Sequence, residues 1–221
     1  MITYYARCFA IVLLLTQPAF AGKVNGKLSS RLDFYPDHAD GTASEGRSAE
    51  VKIDAFHDFE KSRIVGEFIF RGDEKDNGRR ITEARQAYFR SPFAGFDIFV
   101  GNRQEFWGKA ESKNVVDVIN QSDAAANDGK SGKLGAPSIS AERYLDIGDL
   151  QLWYISGFRE KTFNDSDAHP SSGVPVSSAQ YARKDDKDAD DFAVRLSSFA
   201  GDWDLAGSFF YGTARDPILS V

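Results

Sequence analysis

The feature that most constrains this chain is a repeated alternation of apolar and polar side chains. From residue 23 onward, nine segments place apolar and polar residues on opposite sides with a period of two, which is the spacing of a β-strand. The predicted strands are 23–35, 47–59, 63–71, 80–90, 96–105, 138–145, 150–161, 191–199 and 203–212. The pattern therefore predicts an all-β fold.

The links between these strands alternate in length. Outer-membrane barrels combine tight turns at one rim with long loops at the other. Here the short links centre on residues 60–61, 91–95, 146–149 and 200–202, and the long ones are roughly 36–46, 72–79, 106–137 and 161–189. We therefore expect an antiparallel up-and-down transmembrane β-barrel, with long extracellular loops near 106–137 and 161–189.

Residues 1–21 have the layout of a secretory signal peptide. Arg7 precedes an apolar run at 9–15, and residues 19–21 (Ala-Phe-Ala) provide a small-residue cleavage site. The run is too short for a membrane-spanning helix, which needs about 20 residues. We expect cleavage after Ala21 and residence in the outer membrane of a Gram-negative bacterium. A retained anchor is the alternative.

Charge and cysteine content limit the partners. Loss of residues 1–21 removes Arg7 and the single cysteine, Cys8, and leaves 26 basic against 33 acidic side chains, a net charge of −7. The remaining chain uses no disulfide, and without a basic stripe it is not expected to bind nucleic acid. The expected partners are outer-membrane lipid, lipopolysaccharide and an unidentified small solute. A homo-oligomer is compatible with the pattern.

The strand count predicts that the chain is the N-terminal part of a larger barrel. Bacterial single-chain barrels have even strand numbers from eight upward. The ninth predicted strand would run outward rather than back to the periplasmic rim. We therefore expect residues 22–221 to form an incomplete barrel, and an eight-stranded barrel with one strand miscounted is the alternative.

Charged residues on two adjacent predicted strands form the candidate site. Opposite charges on adjacent strands pair across a sheet, and rings of charge set selectivity at pore constrictions. We predict a lumen constriction lined by Glu83 and Arg85 of the fourth strand and by Asp97, Arg103, Glu105 and Trp107 of the fifth strand and the link after it. For any single residue, ordinary charge pairing in a wet lumen is the alternative.

The longest predicted loop follows Trp107. Loops of this length are usually functional or disordered. Its apolar stretch 115–119 predicts that residues 108–120 fold inward toward the lumen. Residues 123–135, rich in Ala, Asn, Asp and Gly, are expected to be a mobile tip.

Three pieces within residues 81–123 carry a family resemblance. They are Glu83-Ala84-Arg85 with Ala87-Tyr88-Phe89, then Val100-Gly101-Asn102-Arg103-Gln104 followed by Trp107-Gly108, and then Asp117-Val118-Ile119-Asn120. These pieces resemble bacterial outer-membrane porin-type proteins, in the group that includes the DUF1302-type and alginate-export-like large barrels. The resemblance implies a porin-type fold, with an extracellular segment after the second piece that folds toward the lumen.

The sequence shows no grouping typical of a catalytic, metal or cofactor site. His38, His57 and His169 are far apart, with no spacing typical of a triad or a zinc site. Alternate aspartates at 186–190 match half of a calcium loop but lack its glycine and distal glutamate. We expect no enzyme activity, cofactor or metal, and predict a porin-like channel for small solutes. A non-conducting structural or adhesion barrel and a soluble periplasmic β-sandwich binding protein are the alternatives.

Overall fold

A computed structural model of the protein describes residues 6–13, 22–34, 45–108, 116–126, 132–166, 176–181 and 188–219. The strands in these residues are β1 (Ala6–Leu13), β2 (Gly22–Phe34), β3 (Glu45–Asp58), β4 (Arg63–Asp73), β5 (Ile81–Phe93), β6 (Phe96–Arg103), β7 (Gln121–Asp123), β8 (Gly132–Leu134), β9 (Ala136–Leu145), β10 (Gly148–Ile155), β11 (Asp191–Ala200) and β12 (Trp203–Tyr211). Short 3-10 turns lie at Asn77–Arg79 and Ala124–Ala126. The all-β class is confirmed. Within the described residues, no helix has the length and apolar character needed to cross a membrane.

Ten strands form one antiparallel sheet in the order β1-β2-β3-β4-β5-β6-β9-β10-β11-β12. Strands that follow each other along the chain therefore lie side by side, as a meander predicts. The exceptions are β7 and β8, which pair with each other as a small hairpin between β6 and β9. Among the described residues β1 and β12 form the two edges and do not pair with each other, so the sheet is not a closed barrel.

All nine predicted strands are present, as β2 to β6 and β9 to β12. The largest difference concerns the seventh, which was expected to reach residue 161, whereas β10 ends at Ile155. Gly157 takes a left-handed φ of 72°, a conformation that an extended strand does not use. The chain leaves the sheet at this point.

The alternation of link lengths is also confirmed. The short links are residues 59–62, 94–95, 146–147 and 201–202. At 94–95, Ala94 and Gly95 have φ values of 52° and 81°, as the two central residues of a type I′ hairpin require. Because consecutive strands are antiparallel, the short links lie at one end of the sheet and the long links at the other.

Strand β1 lies within the predicted signal peptide. It pairs with β2 from Ala6 opposite Leu32 to Leu13 opposite Gly26. Residues 14–21, which contain the predicted cleavage site, lie outside the described residues, so cleavage stays a prediction. Without β1 the sheet has the nine strands expected from the sequence.

The two faces of the sheet differ in chemistry. On β6, β9, β10, β11 and β12, one row of cross-strand neighbours is Ile98, Ala141, Leu152, Val194 and Phe209. The adjacent row on the same strands is Asp97, Glu142, Gln151, Arg195 and Ser208. We call the side of the apolar row the outer face and the side of the polar row the inner face.

The outer face exposes large apolar side chains, whereas the inner face buries polar and apolar side chains together. On the outer face, Val100, Ile139 and Phe192 are 47%, 51% and 49% exposed. On the inner face, Ser140 and Asp191 are fully buried. A sheet with one face in water normally buries its apolar residues and exposes its polar ones.

A bulge in β5 decides which of its side chains reach the inner face. Glu67 pairs with Gln86 and Phe68 with Ala84, which leaves Arg85 as an additional residue. Arg85 is buried, and Gln86 donates a hydrogen bond to Glu67 at 3.2 Å. The bulge therefore places two consecutive side chains on the same face, which strict alternation does not allow.

Candidate lumen site on the inner face

We define the insertion as residues 104–135 between β6 and β9; its described parts, 104–108, 116–126 and 132–135, cover the inner face. Two of its apolar residues, Trp107 and Ile119, are buried against Trp153, Ile155 and Ala193 of the sheet. Of the predicted inward segment 108–120, Ile119 and Asn120 are buried on the inner face, Val116 is 45% exposed, and 109–115 lie outside the described residues.

The predicted mobile tip at 123–135 is wrong at both of its ends. Asp123 and Leu134 are buried, and β7 pairs with β8 through Asp123 opposite Gly132. Polar composition alone predicts a solvated tip, but β7 and β8 at the ends of this segment pair with each other on the inner face. Residues 127–131 lie outside the described residues.

Arg103, at the end of β6, is the centre of one charged cluster. Its Nη2 lies 2.8 Å from Glu105 Oε2 and 2.5 Å from Glu142 Oε1, and its Nη1 donates to Ser140 Oγ at 2.9 Å. The guanidinium lies 3.7 Å from the centre of the Phe99 ring. Because the Arg103 side chain is largely buried, water screens these contacts weakly. The cluster is a cation held in one place by two carboxylates.

Trp107 fastens the insertion to the sheet. Its indole Nε1 donates to Gln151 Oε1 at 2.7 Å, and its backbone carbonyl accepts a hydrogen bond from Arg195. A buried indole N–H requires an acceptor, so Gln151 determines where the ring can lie. Three of the predicted site residues, Arg103, Glu105 and Trp107, thus meet on the inner face.

Glu105 lies at the start of the insertion, next to Arg103. Its backbone N–H donates to Asn120 Oδ1 at 2.6 Å, and Asn120 Nδ2 donates to the Arg103 carbonyl at 2.9 Å. Burial raises the pKa of the Glu105 carboxyl; Arg103 opposes this rise, and Glu142 adds to it. The position of Glu105 is therefore coupled to the buried part of the insertion.

A second cluster surrounds Asp123 of β7. Its Oδ2 lies 2.9 Å from Arg71 Nη2 and 3.8 Å from Arg85 Nη2, and its Oδ1 accepts from Thr162 Oγ1 at 3.1 Å. Glu50 adds a contact of 3.5 Å to Arg71. Asp123 is 2% exposed. One buried carboxylate thus joins β4, β5, the insertion and the link between β10 and β11.

Sequence reasoning missed Arg71 and Asp123. The signal for Arg71 was its spacing of four from Glu67, which places both on one face of β4. For Asp123 there was no such signal, because its partner Arg71 lies 52 positions earlier in the chain.

The other predicted site residues do not form the expected ladder along β5 and β6. Glu83 pairs with Arg159 of the link between β10 and β11, and Arg85 pairs with Asp123. Asp97 does pair across to β5, but with Arg90, at 2.7 Å. Described residues of the insertion and of the long link lie over the inner face, and Glu83 and Arg85 pair with Arg159 and Asp123 of these segments. The predicted charge ladder between Glu83 and Arg85 on one strand and Asp97, Arg103 and Glu105 on the next is therefore wrong.

Residues after β12 hold the other side of the insertion. Arg215 Nη2 lies 2.7 Å from Asp191 Oδ2, and Arg215 Nε donates to the Val118 and Ile119 carbonyls at 3.1 Å. Burial lowers the pKa of Arg215, and Asp191 opposes that effect. The insertion is thus tied to β4 on one side and to β11 on the other.

A cavity of about 280 Å³ remains between the insertion and β10. Its lining includes Asn102, Gln121, Phe158, Arg159 and Arg215. Asn102 Oδ1 is buried and makes no hydrogen bond within the described residues. The cavity is large enough for ordered water or a small polar solute. Asp186 of the half calcium motif lies outside the described residues.

Comparison of the chain with family models, with curated proteins and with solved structures finds no match. Function is therefore inferred from the geometry of the two faces. That geometry consists of an exposed apolar outer face and a covered inner face where charged side chains converge from β4, β5, β6 and β9.

Proposed function

We propose that this chain is a porin-like component of the bacterial outer membrane, in which the outer face meets lipid and the inner face lines a passage for small solutes. The observation that carries the proposal is an exposed face that is apolar, opposite a covered face that buries charged side chains. Apolar side chains of the outer face are exposed, while Arg71, Arg85, Asp123 and Asp191 are buried on the inner side. Membrane β-barrels have this arrangement, with an apolar band outside and a polar interior.

The size of the exposed apolar surface supports contact of the outer face with lipid rather than with water. One cross-strand row runs without interruption through Ile64, Phe89, Val100, Ile139, Tyr154, Phe192 and Tyr211. Full burial of a large apolar side chain stabilises a protein by about 1.5–3 kcal/mol. Six side chains of this row are about half exposed in the structure, so in water about 5–9 kcal/mol of stabilisation would be lost. A typical domain has a folding free energy of only about 5–15 kcal/mol. A soluble β-sandwich would cover such a row, which weighs against that alternative.

Aromatic residues mark the short-link end of the sheet. The exposed ones are Phe59, Phe93, Tyr144, Phe199 and Trp203, next to the four short links. Aromatic girdles occupy the membrane interfaces of outer-membrane barrels. In the proposed orientation these residues lie at the periplasmic interface, and the long links face outward.

The proposal requires both edges of the sheet to be paired in the membrane. Lipid offers no hydrogen-bond partner to an open strand edge, so edges without a pairing strand are not tolerated there. The proposed partners are outer-membrane lipid and lipopolysaccharide on the outer face, with a small solute on the inner face. Both signs of charge line the inner face, and no ion preference is proposed.

Heat-modifiable electrophoresis and planar-bilayer recording test the proposal. The full chain, refolded in detergent, should migrate differently before and after boiling, because a membrane β-barrel resists detergent unfolding. After insertion into a planar bilayer it should give stepwise conductance. Equal migration of boiled and unboiled protein, combined with solubility after detergent removal, would favour the soluble sandwich and reject the membrane proposal.

A non-conducting outer-membrane barrel is the second candidate. The observation that favours it is the filling of the inner face by Trp107, Ile119 and Leu134, which are buried. A passage blocked by packed apolar side chains does not conduct water or ions. Heat-modifiable protein that inserts into bilayers without conductance steps at any tested pH or voltage would select this candidate over the channel.

A further inference from the structure

The cavity at the long-link end of the sheet joins segments that are far apart in the sequence. Its volume is about 280 Å³, and its walls come from the insertion, the adjoining ends of β9 and β10, Asp188 before β11 and Arg215 after β12. Every residue that lines it belongs to the part of the chain that the structure describes. Pockets for small molecules start at about 300 Å³, so this cavity matches one small solute rather than a chain of linked units.

Arg159 presents unused hydrogen-bond donors at this cavity. Its Nη2 pairs with Glu83, while its Nε and Nη1 make no hydrogen bond with the described residues. The Arg159 side chain is 35% exposed, so these N–H groups are within reach of a solute. The planar guanidinium edge matches the two oxygens of a carboxylate. Arg159 therefore offers one half of a recognition site.

Asp188 places a negative charge at the same cavity. The residue is exposed and makes no hydrogen bond or ion pair with the described residues. Arg159 does not neutralise it, because the ion pair of Arg159 is with Glu83. A carboxylate without a cation and the free edge of a guanidinium thus line one cavity without pairing with each other.

The remaining cation at the cavity is already bonded within the protein. Arg215 Nη2 pairs with Asp191, and its Nε and Nη1 donate to backbone carbonyls. Three carboxylates, of Glu83, Asp188 and Asp191, therefore stand against the guanidiniums of Arg159 and Arg215, a net charge of −1 for these five side chains. Because like charges brought together are unfavourable, a solute that is only an anion is excluded.

We propose that this cavity binds a small zwitterion of the α-amino-acid class. The carboxylate of the solute pairs with the free edge of Arg159, and its ammonium group pairs with Asp188. Pro137 and Phe158 supply an apolar part of the wall, which favours an aliphatic side chain such as that of valine. Such a molecule uses both unpaired charges, whereas an uncharged polyol pairs with neither. In the proposed channel, on which this step rests, the cavity is a solute subsite of the passage; binding itself does not require conduction.

Equilibrium dialysis of labelled L-valine against the full chain in detergent micelles, near neutral pH, tests the inference. We expect saturable binding. Valine methyl ester lacks the carboxylate and N-acetylvaline lacks the ammonium group, so each should compete with a dissociation constant raised about five- to tenfold, because one charge-assisted pair is lost.

Two variants assign the two ends of the solute. Arg159→Lys keeps a cation beside Glu83 but removes the planar edge, and Asp188→Asn removes the charge with little change in size; each should raise the dissociation constant for valine about fivefold. Arg90→Lys is the matched control for the first, because Arg90 pairs with Asp97 near the short-link end. Asp202→Asn, in the short link 201–202, is the control for the second. Both controls should bind valine as the wild type does.

Three results would overturn the inference in protein whose fold is verified by circular dichroism. They are the absence of saturable valine binding, competition by the ester or the N-acetyl derivative as strong as that by valine, and wild-type affinity in both Arg159→Lys and Asp188→Asn. Bilayer recording separates this inference from the proposed function. Conductance steps without valine binding would reject the zwitterion site alone, and valine binding without conductance would reject the channel alone.

Discussion

Neighbouring residues on the same strands of this protein are in different environments. On β11, Val194 belongs to the exposed apolar row and Arg195 to the covered polar row, one position away. The backbone pairing of the two rows is equivalent, since both are registered across the same strands. The difference between the two rows therefore comes from their side chains and from the segments that cover the inner row. In the proposed function the outer face meets an apolar solvent, while the inner face holds internal ion pairs.

Of the three substitutions considered, the loss of the Asp123 carboxylate on the covered face should lower the free energy of unfolding most. Asp123→Ala leaves Arg71 and Arg85 buried without their shared carboxylate, and loss of one partner of a buried ion pair costs about 3–5 kcal/mol. The free energy of unfolding in phospholipid vesicles, from urea titration, should fall by that amount. Asp216→Ala is the matched control, because Asp216 pairs with Lys161 at the surface, where such a pair contributes about 0–1 kcal/mol. Equal losses would show that the inner face is as well solvated as the surface.

A charge introduced on the outer face should lower the free energy of unfolding by the next largest amount. Val194→Arg places a guanidinium at the middle of β11, and an arginine that faces lipid at the bilayer midplane costs about 2–4 kcal/mol. At an exposed site in water the same change typically alters stability by about 0.5 kcal/mol or less. The same urea titration measures the difference, with Val176→Arg, at an exposed position in a long link, as control. A neutral Val194→Arg variant would mean that the outer face meets water.

Loss of the Trp107 indole hydrogen bond should lower the free energy of unfolding by the smallest amount. Trp107→Phe keeps an aromatic ring against the sheet but leaves Gln151 Oε1 without its donor, and a hydrogen bond of this kind contributes about 0.5–1.5 kcal/mol. Near-ultraviolet circular dichroism and urea titration report the change. Trp203→Phe, on an exposed ring beside a short link, provides the comparison and should be close to neutral in detergent. If Trp203→Phe costs more, the insertion contributes less to stability than the interface aromatics do.

Local pattern was enough to predict most of the fold. Strand positions, link lengths and the apolar side of β11 follow from period-two alternation and from turn residues such as Gly95 and Gly201, which both have positive φ. The bulge at Arg85 could not be predicted in the same way. It inserts one residue and reverses the phase of β5, which a strict period of two does not predict.

The candidate site was predictable only where its members are close in sequence. Arg103, Glu105 and Trp107 lie on one short segment, and the structure brings them together through Glu142 and Gln151. Glu83 and Arg85 were placed on the correct face, but their partners Arg159 and Asp123 come from distant links. Charge pairing across a covered face depends on which segment covers it, and single-strand patterns contain no such information.

By itself, the sequence determined which segments extend, where they turn and which side of each strand is apolar. These properties are local, because successive side chains of a strand must point to opposite faces. The tertiary structure alone decided that the insertion lies on the inner face and that Asp123 joins Arg71 and Arg85 there. A buried carboxylate requires partners that compensate its lost hydration. Here those partners come from β4 and β5, and only the folded sheet brings them within reach of β7.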